Sequence, residues 1–242
     1  MTPALDSPLE VYLLGLVDFD DMLALQRRLL YEFGERPGGA LVLCEHPPTI
    51  SVGRGGSRAE ILADDEELHS WGVRVRWVNR GGGCVLHLPG QITAYLVLPL
   101  EPRSIGLAKY LENLNQVIKA VLHEFDMRTQ IHADAWGLCV GEERIATIGV
   151  AVRRWIAYHG FTLNVGPFLA PFRLLSDPGR SEPARVTSME ARRQRPAPMS
   201  MVRESLIRHV ETIFELERHT LFTSHPLIRR LALTHVNTYS ST

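Results

Sequence analysis

Cysteine is scarce in this 242-residue chain: Cys44, Cys84 and Cys139 are widely spaced and form no CxxC pair. An odd, low count of this kind excludes a disulfide framework and a cysteine-based zinc site. An excess of one charge is also missing. The 26 basic and 27 acidic side chains leave a formal net charge of −1, which argues against nucleic acid or an anionic membrane as a dedicated partner. No run is apolar for long enough to span a bilayer. The N-terminal stretch MTPALDSPLEVYLLGLVDFDD has no basic segment, and acidic residues interrupt its apolar run, so it does not read as a signal peptide. The expected compartment is the cytoplasm. The histidines, His123, His132 and His209 among them, show no metal-ligand spacing, and no metal or cofactor is expected. Internal repeats and low-complexity linkers are absent, so residues 1–242 read as a single domain.

What is present is ordinary globular material, 45% hydrophobic and 22% charged, enough for a core that needs no staple. Residues 9–16 read as a buried strand. Asp18 or Asp20 can cap a helix whose Met22, Leu25, Leu29 and Phe33 share one face. Strands are expected at 40–44, 73–78, 84–87 and 92–98, with a glycine turn at 81–83. Ser104 is the expected cap of a helix with a buried stripe of Leu107, Leu111, Leu114, Ile118 and Val121. A hairpin is expected from strands 135–140 and 144–152 around residues 141–143, followed by a strand-like run at 155–165. Residues 167–198 form a long irregular stretch, of a length that is usually functional or mobile. Ser200 opens a last helix, and 219–242 is a less patterned tail.

Three segments carry chemistry-bearing residues. In RGGGCVLH, consecutive glycines allow close backbone approach to a ligand, and their N–H groups can cradle an anion or carbonyl. Arg80 adds a fixed cation, and His87 a group that titrates near neutrality. No GK[ST] follows, so this is not a Walker loop. In EHPPTISVGRGG, a strand end runs into a rigid loop that holds His46, where a structural turn with His46 bonded to backbone is the simpler reading. In RIATIGVAVRRWIAYHGFTLNV, small residues leave space beside a strand for a slender ligand, and Asn164 can hold a neighbouring loop.

In this order, and with RVTSME following, the segments resemble the lipoate-protein ligase B family, the lipoyl(octanoyl) transferases, over roughly residues 10–215. The resemblance implies an α/β (α+β) architecture, the biotin/lipoate protein ligase catalytic fold with a mixed sheet flanked by helices. It implies octanoyl transfer from acyl carrier protein to a lysine of lipoyl domains, which occur in 2-oxoacid dehydrogenases and the glycine cleavage H protein. It also implies that Arg80, Gly81, Gly82, Gly83, Cys84, Val85, Leu86 and His87 line an acyl tunnel. Thr147, Ile148, Gly149, Gly160, Phe161 and Thr162 would complete its walls.

The pattern breaks at two positions. The family attacks the thioester with a cysteine, which falls here on Pro178 or, with a shift of one, Gly179. Its usual lysine is replaced by Arg144, which keeps the charge but cannot act as a base. His87 is then a candidate proton shuttle. Strand alternation turns Cys84 away from the His87 side, so Cys84 reads as a packing residue, with nucleophile as the alternative. Three functions stay open: direct transfer without a covalent enzyme intermediate, an inactive homologue that binds the acyl group, carrier or lipoyl domain, and an ATP-dependent lipoate or octanoate ligase.

Overall fold

The computed structural model describes residues 8–129, 137–177 and 182–232. Its strands are β1 (Leu9–Leu16), β2 (Gly39–Glu45), β3 (Thr49–Val52), β4 (Arg74–Trp77), β5 (Cys84–His87), β6 (Gln91–Pro99), β7 (Gly137–Val140), β8 (Glu143–Arg153), β9 (Ile156–Asn164) and β10 (His219–Phe222). Its helices are α1 (Phe19–Glu35), α2 (Asp65–Ser70), α3 (Leu107–Glu124), α4 (Met189–Arg193) and α5 (Met199–Ile213). Seven strands form a mixed sheet in the order β10-β1-β2-β6-β9-β8-β7, and three form a small sheet, β4-β3-β5.

The large sheet is covered on both faces. Strand alternation sends Ile92, Ala94, Leu96 and Leu98 of β6 into a core shared with Tyr110, Leu114, Val117, Ile118 and Val121 of α3 and Val202, Leu206 and Val210 of α5. Tyr95 and Val97, on the opposite face, pack with Met22, Leu25, Leu29 and Phe33 of α1. The Asp18 carboxylate caps α1 by accepting from the Asp20 N–H at 2.8 Å. A third cluster joins Ile50, Val52 and Leu86 of the small sheet to Leu68 of α2 and to Phe172, Leu174 and Leu175. No helix among the described residues is long and apolar enough to cross a membrane.

Several expectations need correction. Ser104 does not cap α3: Gly106 is its N-cap, and Ser104 ends a preceding 3-10 turn at φ 52°. With the helix start displaced, Leu107 is 45% exposed and Tyr110 occupies the core instead. Met199 rather than Ser200 opens α5, behind Pro198. Within residues 167–198 a 3-10 turn (Ala170–Leu174) and α4 are formed. The chain after residue 218 is not all without pattern, because β10 pairs in parallel with β1, Leu9 opposite His219 through Tyr12 opposite Phe222. Residues 135–136, His132, and the expected cysteine positions Pro178 and Gly179 lie outside the described residues.

Candidate active site

Two clefts meet where the small sheet lies over β6, β8 and β9. The first measures about 310 Å³ counted out to its open mouth, and Phe19, Val85, Tyr95, Gly149 and Gly160 shape its walls. Its inner side is polar but tightly satisfied. Arg80, only 5% exposed, donates through Nη2 to Ser51 O at 2.6 Å and Ser51 Oγ at 2.8 Å, and through Nη1 to Gly81 O at 2.9 Å. Burial pulls its pKa down to about 10, so it stays a cation at neutral pH.

Ser51 Oγ lies 2.8 Å from His87 Nε2. Oγ accepts from Arg80, and of the two acceptors open to its own proton, His87 Nε2 at 2.8 Å and Val85 O at 3.5 Å, the nearer is Nε2, which leaves Nδ1 as the protonated nitrogen of His87, 3.4 Å from Thr93 Oγ1. His46 is fixed the same way: Nδ1 donates to Val17 O and Nε2 accepts from the Tyr95 hydroxyl, both at 2.8 Å. Thus His46 does bond to backbone, while its ring stands edge-on to that of His87 at 5.5 Å. Phe19 packs 5.1 Å from His46 and 5.0 Å from His87.

Burial is the first cause that depresses the pKa of all three histidines here. It takes His46 to about 4, and His159, with Arg80 and Arg54 adding repulsion, to about 3. His87 falls well below its ordinary value by burial and by repulsion from His46, Arg80 and His159. The site therefore holds His87 neutral at pH 7, with both ring nitrogens facing hydroxyls. That is a poor setting for the proton shuttle expected of it.

The second cleft, about 390 Å³ on the same measure, shares Val85, Thr147 and Thr162 with the first. Arg144 lines it and is held by Asp177, Nη2 to Oδ1 at 2.6 Å, with both side chains less than one-fifth exposed. Asp177 directly precedes the expected cysteine position in the chain. Gln91 also lines this cleft, and its Nε2 donates to Asn164 Oδ1 at 2.8 Å and Leu86 O at 3.2 Å. Asn164 in turn donates to Thr187 O at 2.9 Å, holding the loop after β9.

The structure thus brings Arg80, Val85, His87, Thr147, Gly149, Gly160, Phe161 and Thr162 to the first cleft, and Cys84, Leu86 and Arg144 to the second. Two groups of expected wall residues go elsewhere. Ile148 points through the sheet into the α3/α5 core, because alternation places it opposite Thr147 and Gly149, and the side chain of its register partner Phe161 joins the same core. Gly81, Gly82 and Gly83 line neither cleft. The segment's carbonyls zip to the loop after β3: Arg80 O, Gly82 O and Gly83 O accept from Arg54, Gly55 and Gly53, and the Gly81 N–H donates to Val150 O at 2.8 Å. Gly149 is required by this packing, since a Cβ there would stand 2.9 Å from both Arg80 Cδ and Gly81 O.

None of the three cysteines is set up as a thiolate. Cys84 faces away from the His87 cleft, its N–H donates to Glu60 at 2.9 Å, and burial with the Glu60 charge pushes its thiol up to about 12. Cys139 is likewise raised by burial, and Cys44 is sealed in the α1 core and raised further. Sequence reasoning placed residues 79–95 at the site without giving Thr93 and Tyr95 a role, missed Phe19 and Ser51, and passed over His159, as members of the first cleft.

A mixed sheet with a small sheet folded over it, enclosing a slender cleft, defines a class. Residues 18–211 match the model of the lipoyl protein ligase A/B catalytic domain. Among solved structures, a lipoate-protein ligase A bound with ATP superposes with a TM-score of 0.75, covering 91% of each chain at 17% identity. The bi-partite lipoate protein ligase of Thermoplasma acidophilum gives 0.72 over 89% of this chain and 88% of that one, at 18% identity. These distant likenesses speak to the fold. Within the class, a protein named octanoyltransferase from Geobacter metallireducens is 35% identical over 215 residues, 88% of this chain and 97% of the relative. Another of that name from Solibacter usitatus is 35% identical over 207 residues, 84% and 92%. The chain belongs to the lipoate-protein ligase B family, the lipoyl(octanoyl) transferases.

Proposed function

We propose that this protein moves an octanoyl group from its thioester on acyl carrier protein straight to the ε-amine of a lipoyl-domain lysine, with no acyl-enzyme stage. The acceptor domains are those of 2-oxoacid dehydrogenases or the glycine cleavage H protein, and the setting is the cytoplasm. The observation that supports this reading is the junction of the two clefts at Val85, Thr147 and Thr162, with Arg144 in the lining of the second. In this reading the first cleft takes the apolar tail, the thioester carbonyl lies at the junction, and the second cleft takes the donor arm and the incoming lysine.

In this reading the lysine nitrogen bonds to the acyl carbon, the C–S bond breaks, and the proton lost by nitrogen balances the departing thiolate. A cation at the junction favours the oxyanion that forms in between. Arg144 supplies that charge without acting as a base, and Asp177 keeps it in place. Arg80, Ser51 and His87 shape the tail site. Without a covalent relay the rate rests on positioning, so both protein partners must be docked together.

The test is intact-protein mass spectrometry on the purified protein with octanoyl carrier protein and a lipoyl domain. An octanoylated lipoyl domain is expected only when all three proteins are present, and the enzyme keeps its unmodified mass when the acceptor is left out. Absence of transfer would sink the reading. An octanoyl adduct on Cys44, Cys84 or Cys139 would replace it with a covalent route.

A further inference from the structure

In the second cleft one buried acceptor has no partner among the described residues. Gln91 is 2% exposed, and its Oε1 receives no hydrogen bond from them. The orientation of this amide is not ambiguous. The group facing Leu86 O and Asn164 Oδ1 meets two acceptors and must be the NH₂. Asn164 is fixed in the same way, because its other terminal atom meets Thr187 O. Oε1 is thereby left as the free end of a locked chain, Thr187–Asn164–Gln91, on a residue that lines the cleft. Buried polar atoms without partners are few in folded proteins, and each calls for an explanation.

A free acceptor calls for a donor. The Arg144 Nε in the same cleft is also unpaired, and it is a donor. Three other arginine Nε atoms, of Arg103, Arg193 and Arg203, share that condition, so Arg144 adds its place in the cleft rather than its rarity. One unpaired acceptor and one unpaired cationic donor, on two residues that line the same cleft, match the two polar ends of an aminolysis: an N–H on the attacking nitrogen and a developing negative charge on the acyl oxygen.

We infer that Gln91 Oε1 is the docking atom for the acceptor lysine's nitrogen, accepting one of its N–H bonds and so turning the nitrogen lone pair toward the acyl carbon at the Val85–Thr147–Thr162 junction. This rests on the transfer reading above. The amine enters with its N–H on Oε1, the C–N bond forms as the C–S bond breaks, and the proton released from nitrogen goes to the thiolate. The amide product retains one N–H, which stays on Oε1. Gln91 therefore recognises the product as well as the attacking amine, and that contact can be measured without any turnover.

The experiment compares binding of two small probes by calorimetry: N-ε-octanoyl-lysine amide, and its analogue in which an ester oxygen replaces the side-chain N–H. The wild-type protein is expected to bind the amide about tenfold more tightly than the ester. In Gln91→Leu that preference is expected to vanish while octanoate binds as before, and Gln91→Met serves where the leucine variant does not fold. Equal affinity of the wild type for both probes overturns the inference, as does a preference that survives in the variants. A loss in Gln91→Leu confined to octanoyl-pantetheine assigns Oε1 to the donor arm and also overturns it. Amide preference without octanoyl transfer by the wild type would keep the docking atom and remove the transfer reading. Transfer without amide preference would do the reverse.

Discussion

Ser51 Oγ is the single atom on which the inner end of the first cleft depends. It accepts from the Arg80 guanidinium and faces His87 Nε2, each at 2.8 Å, on a residue with no exposed surface. Truncation to alanine removes one acceptor from a buried cation and takes away the hydroxyl partner of an imidazole nitrogen. Leaving buried polar groups unsatisfied costs about 1–3 kcal/mol each, and more when one is charged. Ser51→Ala is therefore expected to lose roughly 2–4 kcal/mol in urea unfolding. Ser51→Thr, which keeps the hydroxyl, is expected to recover most of it. A loss below about 0.5 kcal/mol in the alanine variant, the size of an ordinary surface change, would show that the network is ornamental.

At the scale of the element, β10 carries the largest surprise. All four of its residues are exposed, yet it closes the β1 edge of the large sheet in parallel register. Phe222 stacks on Tyr12 at 4.9 Å, and Arg230 donates to Leu13 O at 2.8 Å to hold the following segment against β1. Truncation after Arg218 would bare a strand edge whose Leu9 and Val11 are core residues, an open template for pairing between copies. The expected outcome is a melting temperature lower by roughly 3–8 °C, equivalent to about 1–2 kcal/mol for a chain of this size. Concentration-dependent aggregation on heating is expected with it. An unchanged melting curve and no aggregation would show that β10 adds nothing to the sheet. The same element shows why parts of the fold were not legible. The helical face of α1 and the ends of β5 could be read directly, because a periodic apolar stripe or a glycine turn marks them. An exposed edge strand has no buried face to produce a pattern. Both strands of the β8–β9 hairpin were read, at 144–152 and 155–165, but not the turn between them, because Arg154 and Trp155 have φ of 49° and 60° without the Asn or Gly that usually signals such a turn. In the site, β6 is buried at every position, so its hydropathy could not say that Thr93 and Tyr95 face the cleft while Ala94 and Leu96 face α3. Ser51 was hidden in the same way within the fully buried β3. The resemblance to the family located the clefts' main walls, but not the direction of each side chain around the glycine turn.

For the whole molecule, the three neutral histidines link the site to stability. His46 and His159 have pKa values of about 4 and about 3, and His87 lies well below its ordinary value, with burial the first cause in each. In the unfolded chain each titrates near 6.5. Above that pH neither state binds these protons and their contribution is flat. Below it the unfolded chain takes up protons that the folded chain refuses, so stability falls as pH drops from about 6.5 toward 4. Each histidine contributes a slope approaching about 1.4 kcal/mol per pH unit, and the three together an upper limit of roughly 4. Integrated from pH 6.5 to 5 this is at most about 6 kcal/mol, a large share of a total stability on the order of 5–15 kcal/mol. Carboxylates do not blur this window, since groups such as Glu124, held at about 2 by Arg208 and Ser205, lose their contribution only as pH falls below the ordinary carboxylate range. The expected result is a urea midpoint that is level from pH 7 to 8 and drops steeply between 6.5 and 5, with two to three protons taken up on unfolding at pH 5.5 in paired-buffer calorimetry. A level midpoint down to pH 5 would mean that the histidines charge in place and that the cleft opens to water. A fall would mean that the fold keeps the inner cleft uncharged apart from Arg80, the condition an apolar acyl tail requires of its site.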